Sequence, residues 1–571
     1  MISRRKFTSG GMAASCLAWS GLRSQIKAFA ADRSSAAHID DDVSPFVQPR
    51  IGTGGHGHCY PGATVPFGMV QLSPDTFNKG WDWCSGYNYS DDSIMGFSHT
   101  HLSGTGIGDM LDVLVMPCTG SVKLEPGTRE HPETGYRSRF SHEEEQAVPG
   151  YYSVLLRDTK IFAELTATSR VGVHRYTFPK DASSHFILDL DHGYDDGPGV
   201  VRWANLKTIG RDTLVGGKST NRWAAGREIF FAMQFSRPFD RIEVFADGKL
   251  VSDLSQEIHA KSLKAVIYYA TAAKEQILVK TGVSGVDADG AMGNLLAELP
   301  DWSFDGVRKT SADLWERELS RIRVTGGTQK QREIFYSALY HCMVAPTLFD
   351  DVDGRYRGMD GENHKLAAGE HNFSTYSLWD TYRAVHPLFT VAFPDRVPAF
   401  VNCLIRMAGE SSVGMPIWPL QAKETQCMTG FHSATVIAEA IAKGFPGIDV
   451  QGAYLAMKKE ASVSELRGLP LYRQYGYIPC DLHKESVSTA LDYAYNDWAV
   501  SRVAEAAGAK ADAAVFRKRS LAYQNLYDPS TGFMRPKLAT GDWAVPFASN
   551  EMGHSSRWRD YTESNPWQTT F

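Results

Sequence analysis

Apolar residues in this 571-residue chain keep one spacing up to about Gly285 and another from about Asp301 onward. In "KIFAELTATSRVGVHRYTF" they alternate as Ile161, Ala163, Leu165, Ala167, then His174, Tyr176 and Phe178. A period of two suits half-buried strands and no helix. "HFILDLDHG" and "AVIYYATA" are further short apolar runs bounded by turns, and many short strands with Gly-rich connections predict a β-sandwich. Beyond Asp301 the spacing turns helical. In "SFDGVRKTSADLWERELSRIRV" Val307, Leu314, Trp315, Leu319 and Ile322 recur at helical intervals. "TQKQREIFYSALYHCMV" places Ile334, Ala338 and His341 on one stripe, with Phe335, Leu339 and Cys342 beside it. "ATVIAEAIAKG", "ESVSTALDYAYNDWAVSRVAEAAG" and "ADAAVFRKRSLAYQNLY" continue as helices joined by short polar or Gly loops. Paired helices of this kind predict an α/α toroid, and a chain this long calls for more than one domain.

The first thirty residues stand outside that plan. "SRRKFT" is a twin-arginine pattern, followed by a weakly apolar stretch from Gly10 to Leu22 and a small-residue site ending at Ala30. This predicts a Tat signal peptide over residues 1–30, use of the Tat export machinery, and a periplasmic or secreted protein. The apolar stretch is too short to span a bilayer, so no membrane span is expected. Cleavage removes five Lys and Arg and no acid, taking the formal net charge from −6 to −11. So acidic a protein is a poor partner for nucleic acid or anionic lipid. Seven cysteines remain, scattered and without a CxxC, which argues against a disulfide scaffold and against zinc.

Residues 45–110 are densest in motifs. Their Gly-rich runs lack a Walker lysine, and no G-x-G-x-x-G opens a helix, so a nucleotide site is excluded. His56/His58 and His99/His101 have H-x-H spacing, which on a strand puts both rings on one face and suits metal. No neighbouring set of Cys or carboxylates completes such a site, which favours loop histidines bonding backbone or sugar hydroxyls. Trp81 and Trp83 sit among Gly, Asp, Ser and Tyr, as an exposed loop would. "DVDGRYRGMDG" mimics an EF-hand, but aligning Gly354 puts Phe349 where Asp is required, so it reads as a turn. Near the end of the chain Glu563 stands among Tyr561, Asn565 and Trp567. A sugar-cleaving site needs such a carboxyl protonated near neutrality, and a second carboxylate across the bond.

"PFGMVQLSPDT", "GWDWCSGYNYSDDSIMGFSHTHLSGTGIGD", "DVDGRYRGMDG", "YSLWDTYRAVHPL", "MPIWPL", "YNDW", "GFMRPKL" and "DYTESNPWQ" resemble, in order, signature segments of glycoside hydrolase family 92. The resemblance runs from about Pro45 to the end. It implies a calcium-dependent, inverting exo-α-mannosidase, built as an N-terminal β-sandwich, a helical linker and an (α/α)6 barrel. The corresponding division is 31–290 sandwich, 291–330 linker and 331–571 barrel. By the same resemblance Glu563 is the general acid. Trp81, Trp83, Trp379, Asp380, Arg383, Glu424 and Asn565 bind substrate; Asn496 and Asp497 of "YNDW" are further candidates, which, like Glu424, helix capping or packing explains equally well. The partner is an α-mannoside oligosaccharide or glycoprotein glycan, and the cofactor is Ca2+.

Two departures qualify this expectation. Ser564 and Pro566 replace the family's usual Gly and Ala, and Pro566 restricts Asn565. The family's barrel also continues past this point, carrying the base-bearing aspartates and an Asn/Glu-rich calcium segment. The toroid is therefore expected to be incomplete, with apolar helix faces uncovered, and most calcium ligands to lie beyond Phe571. Of the residues present, Gln568 is a calcium-ligand candidate. The alternative expectation is a truncated, catalytically inactive mannoside-binding remnant. A third, another toroid enzyme such as a disaccharide phosphorylase, fits the ordered motifs less well.

Overall fold

Two antiparallel sheets carry the strands that the period of two foretold. One runs Ser73–Asp75, Gly96–Ser98, Leu114–Cys118, Asp181–Asp189, Leu263–Thr271, Arg241–Ala246, Lys249–Leu250. The other runs Ile258–Ala260, Val201–Ile209, Thr213–Thr220, Arg227–Phe235, Glu275–Ser284, Val171–Phe178, Ile161–Ala167, Tyr151–Leu156, Glu145–Val148. The structure, a computed structural model, describes residues 42–195, 199–555 and 559–570; the signal predicted for residues 1–30 lies outside them. From Val43 onward the chain forms one unit.

Register explains why alternation could be read so plainly. Ala163 pairs with Tyr176 and Leu165 with His174, so the apolar rows of two neighbouring strands fall on one face. Ile161, Ala163, Leu165, Tyr176 and Phe178 are all buried there. From the facing sheet, Phe186 meets Tyr176 and Phe235, with ring centroids 5.4 Å apart in each pair. Each fully buried large side chain of this kind contributes about 1.5–3 kcal/mol.

The helix Ala288–Glu298, capped by Asp287 on the Gly290 amide, lays Ala291 and Leu295 over Val171, Val173 and Ala232 of the larger sheet. The next helix, Phe304–Leu319, buries Trp315, whose indole N–H donates to Thr64 O at 2.7 Å. Gln329–Cys342 opens on a capping box in which Thr328 and Gln331 satisfy each other's backbone amides. Its face differs from the expected stripe. Ile334 and Ala338 are exposed, while Tyr336, Ser337, Leu339 and Tyr340 are buried. The two tyrosines decide this: Tyr336 stacks on Phe46 and Tyr340 lies 4.3 Å from Trp315, more apolar area than Ile and Ala offer.

Farther on, Val397–Glu410, Ser433–Ala442, Val450–Val463, Ser486–Ala506 and Lys510–Arg519 pack on one another. Ser433–Ala442 is buried on nearly every side, which makes it an inner helix. Asp497 is buried and tied to Arg519 and to the Tyr472 hydroxyl, a structural role rather than a sugar contact. Outside the long helix, Leu491, Tyr495, Trp498, Leu521 and Tyr523 line an apolar groove of about 430 Å³. No described helix is long and apolar enough to cross a membrane.

His386 gives the fold a testable acid response. Fully buried against Phe389, its imidazole is pushed down by burial to about 4. The unfolded chain takes up this proton near pH 6.5 and the native one only near 4. The stabilising contribution is therefore complete above 6.5 and lost as pH falls through that window, up to about 3 kcal/mol. In thermal melts between pH 7 and 4, His386→Phe should show a shallower fall in Tm than the parent. Identical slopes would rule the assignment out.

Candidate active site

The motif "LWDTYR" folds as the short helical turn Leu378–Thr381. Leu378 is fully buried and pins the turn, leaving Trp379 partly buried and Asp380 and Arg383 exposed. The Ser377 hydroxyl donates to Asp380 Oδ2 at 2.7 Å and accepts from the Trp418 indole N–H at 3.0 Å. A buried indole thus fixes a hydroxyl, and the hydroxyl fixes a carboxylate. Trp418 lies 4.5 Å from Trp223 of the sandwich and packs with Leu102, Met110 and Ala224. Asp380 is accordingly aimed by both structural layers. Arg383 makes no ion pair with it among the described residues; its guanidinium lies over the Trp379 and Tyr382 rings, at 4.7 and 4.9 Å.

Behind this turn stands the hairpin Pro419–Leu420/Lys423–Glu424. Glu424, expected to touch sugar, instead spends its two oxygens on the amides of Ile417 and Trp418, at 2.9 Å each, and Gln426, at 2.7 Å. Burial pushes its carboxyl up, and these amides pull it back. Its place is inside the hairpin, holding the loop that carries Cys427. At the hairpin apex Gln421 Oε1 accepts from Arg227 Nη1 at 3.0 Å. Arg227 is buried, paired with Asp109 at 2.6 Å and Asp112 at 2.7 Å, and Lys218 stands 3.3 Å from Asp112. Burial alone would raise Asp112, but Arg227 and Lys218 hold it well below the usual carboxylate range.

Glu563 arrives from the far end of the chain. Its turn is anchored by Thr562 N–H to Ser488 Oγ at 2.9 Å and by the Tyr561 hydroxyl to Met534 O at 2.7 Å. Among the described residues nothing hydrogen-bonds its carboxylate, which is exposed. The dry wall expected from Trp567 is not built. That indole is 55% exposed and turns its edge to Phe533, because Pro566 starts a helical turn that carries it there. Asn565, expected to bind substrate, caps that turn through Oδ1 on the Gln568 amide at 3.1 Å.

Asp380 and Glu563 both act electrostatically on one sulfur, that of Cys427. Burial pushes the Cys427 thiol up, Arg467 pulls it down, and the charges of Asp380 and Glu563 both add to the rise. Arg467 also grips the Cys427 loop through the carbonyls of Gln426 and Met428.

The sandwich loops separate the two tryptophans that sequence left equivalent. Trp83 is built in, donating to Asp91 at 2.7 Å with Phe77 on its edge and Arg129 over its face. Trp81 is 54% exposed, flanked by His56 and His58 at 4.7 Å each and tied to Gly106 O. The H-x-H pairs serve backbone, ring and carboxylate partners: His99 bonds Val113 O and His174, His101 bonds Gln71 O and Asp75. The EF-hand look-alike is a turn, with Gly354 at φ +84°.

Left-handed backbone at non-glycine residues gathers around this face. Thr375, Gln421, Ala422, Gln426, Met428 and Glu563 adopt it, as do Met110, Leu111 and the β-branched Val113 on the sandwich side. Each costs on the order of 1–3 kcal/mol, and such strain collects where function holds it in place. No glycine marks these positions, so sequence gave no warning of them. Cys427, Trp223 and Arg467 were likewise unmarked, whereas Ser377 and Trp418 sat within the motifs "YSLWDTYRAVHPL" and "MPIWPL".

Calcium needs six to eight oxygen donors. Among the described residues, Cys480, His554 and Asp560 bring ligand atoms close enough to hold a metal, and the sulfur suits a softer ion. Gln568, the calcium candidate, is exposed, and its backbone N–H donates to Asn565 Oδ1. Among the described residues the His, Cys, Asp and Glu side chains gather into no carboxylate cage of the calcium kind, and no step is routed through one.

A strand layer packed on a helical layer, with the exposed Asp380 carboxylate held where they meet, is the scaffold this geometry defines. The profile of the glycosyl hydrolase family 92 N-terminal domain matches residues 46–284, and that of the family's catalytic domain matches residues 290–571. A GH92 α-mannosidase structure from Bacteroides thetaiotaomicron is 40% identical, with TM-score 0.88, covering 93% of this chain and 71% of that one. Its complex with mannoimidazole superposes at 0.89, with coverage of 93% and 70% and the same identity. A GH92 inverting mannosidase of the same organism is 26% identical, TM-score 0.81, with coverage of 94% and 71%. A fungal protein of Arthroderma benhamiae, described as an uncharacterized secreted glycosidase, is 25% identical over 89% of this chain and 67% of its own. The chain belongs to glycosyl hydrolase family 92.

Proposed function

We propose that this protein is an exported, exo-acting α-mannosidase that releases terminal mannose from α-mannosides, including N-glycans, with inversion. The observation that carries this is a family 92 chain in which the Trp418–Ser377 relay holds Asp380, while the exposed Glu563 carboxylate has no hydrogen-bond partner among the described residues. In this reading Glu563 donates its proton to the glycosidic oxygen as the C–O bond breaks, and water attacks the opposite face of the sugar while giving its proton to a second carboxylate acting as general base. Asp380, with one oxygen held by Ser377, accepts hydrogen bonds from mannose hydroxyls, a geometry that distinguishes axial from equatorial oxygens. Trp81 supplies the flat apolar face. The mannosidase relatives support the substrate class, and the twin-arginine segment and the secreted fungal relative support export.

The test is proton NMR of the protein with α-mannobioses. β-Mannose should appear first, before mutarotation mixes the anomers. α-Mannose as the first product would overturn inversion. Tight mannobiose binding with no release would favour the binding-only remnant. Running the assay with and without EGTA tests the calcium dependence that the family resemblance implies.

Trp81 and Trp83 should part company in the same assay. Trp81→Ala is expected to raise KM about tenfold with kcat little changed, the loss of ~1.4 kcal/mol of uniform binding. Trp83→Ala should instead lower Tm, since it strips partners from Asp91 and Phe77. A Trp81→Ala enzyme with unchanged KM would remove Trp81 from the sugar site.

A further inference from the structure

We propose that Cys480, His554 and Asp560 form a structural site for a soft divalent metal ion of the zinc class, distinct from the sugar site. One donor atom from each residue lies within 4.8 Å of the others. Tetrahedral ligation at ordinary zinc distances separates donors by roughly 3.3–3.7 Å, so only a slight closing of the three is needed. Cys480 and Asp560 are wholly buried, and His554 is 15% exposed.

Asp560 supplies a second and independent sign. Its Oδ2 accepts from the His554 backbone amide at 2.6 Å and from its imidazole at 2.7 Å. Its Oδ1 is buried with no hydrogen-bond partner among the described residues. An orphaned buried oxygen of this kind costs about 1–3 kcal/mol, more when charged. A cation between this carboxylate and the Cys480 sulfur removes that cost and favours the thiolate. One sulfur, one imidazole and one carboxylate suit zinc and exclude calcium, and three protein donors leave the fourth position to water.

The location gives the ion something to do. Cys480 N–H donates to Lys537 O, Asp560 N–H donates to Met552 O, and Asp560 O accepts from Val487 N–H at the start of the long helix. The ion would fasten these segments just behind the turn that carries Glu563.

The experiment uses the folded protein with zinc and with cobalt as probes. The wild type should retain stoichiometric zinc through dialysis and, with cobalt, show a near-ultraviolet thiolate-to-metal charge-transfer band. A zinc-selective chelator should lower Tm where EGTA does not. Cys480→Ala should lose the band, and His554→Gln should weaken zinc binding by an order of magnitude or more, both checked for native far-UV circular dichroism. A wild type that retains no zinc and shows no band overturns the site outright, whatever the variants do. So does a folded Cys480→Ala that binds both metals like the parent.

Discussion

Glu563→Gln is expected to lower kcat/KM on an α-mannobiose by about 10²–10⁴, the usual worth of general acid catalysis. The substitution keeps volume and shape but removes the proton that the departing sugar oxygen must receive. Because the Glu563 carboxylate has no hydrogen-bond partner among the described residues, the change disturbs little else, and mannobiose binding should persist. The decisive comparison is with a 2,4-dinitrophenyl α-mannoside. Its leaving group departs as a stable phenolate and needs no proton, so its turnover should fall by less than about tenfold. Equal losses on the two substrates would show that Glu563 does not protonate the leaving group.

The largest effect on stability is expected from Arg227→Met. Arg227 is buried between Asp109 and Asp112 and reaches Gln421 across the two layers. Removing the guanidinium leaves Asp112 with Lys218 and Asp109 with only the Met110 and Ala224 amides, a loss of about 3–5 kcal/mol. Urea unfolding would measure it. Asp109→Asn added to Arg227→Met should recover part of the loss by removing one of the uncompensated charges. A single-variant loss below about 1 kcal/mol would mean that the pair does not bind the layers together. KM should rise as well, because Gln421 sits at the apex of the hairpin that places Trp418 and, through Ser377, Asp380.

Much of the fold was legible because the relevant physics is local. The strand rows of residues 161–178 show alternation in sequence since each strand buries one face, and their register keeps those faces together. The helices after residue 288 show their spacing for the same reason, although in Gln329–Cys342 the tyrosine row, not the Ile334 row, was buried. The ordered motifs located Asp380 and Glu563. They also named Glu424 and Asn565, whose side chains turned out to hold a hairpin and cap a helical turn.

What the chain alone determined, then, is the two-layer plan and the family, since periodicity and motif order are properties of neighbours in sequence. Only the tertiary structure decided which tryptophan faces solvent, which hydroxyl aims Asp380, and that a buried arginine ties the sandwich to the hairpin. Those choices depend on contacts such as Arg227 with Gln421 and Trp223 with Trp418, between residues some two hundred positions apart. Burial and hydrogen-bond satisfaction at such contacts are set by packing in three dimensions, and no local pattern encodes them.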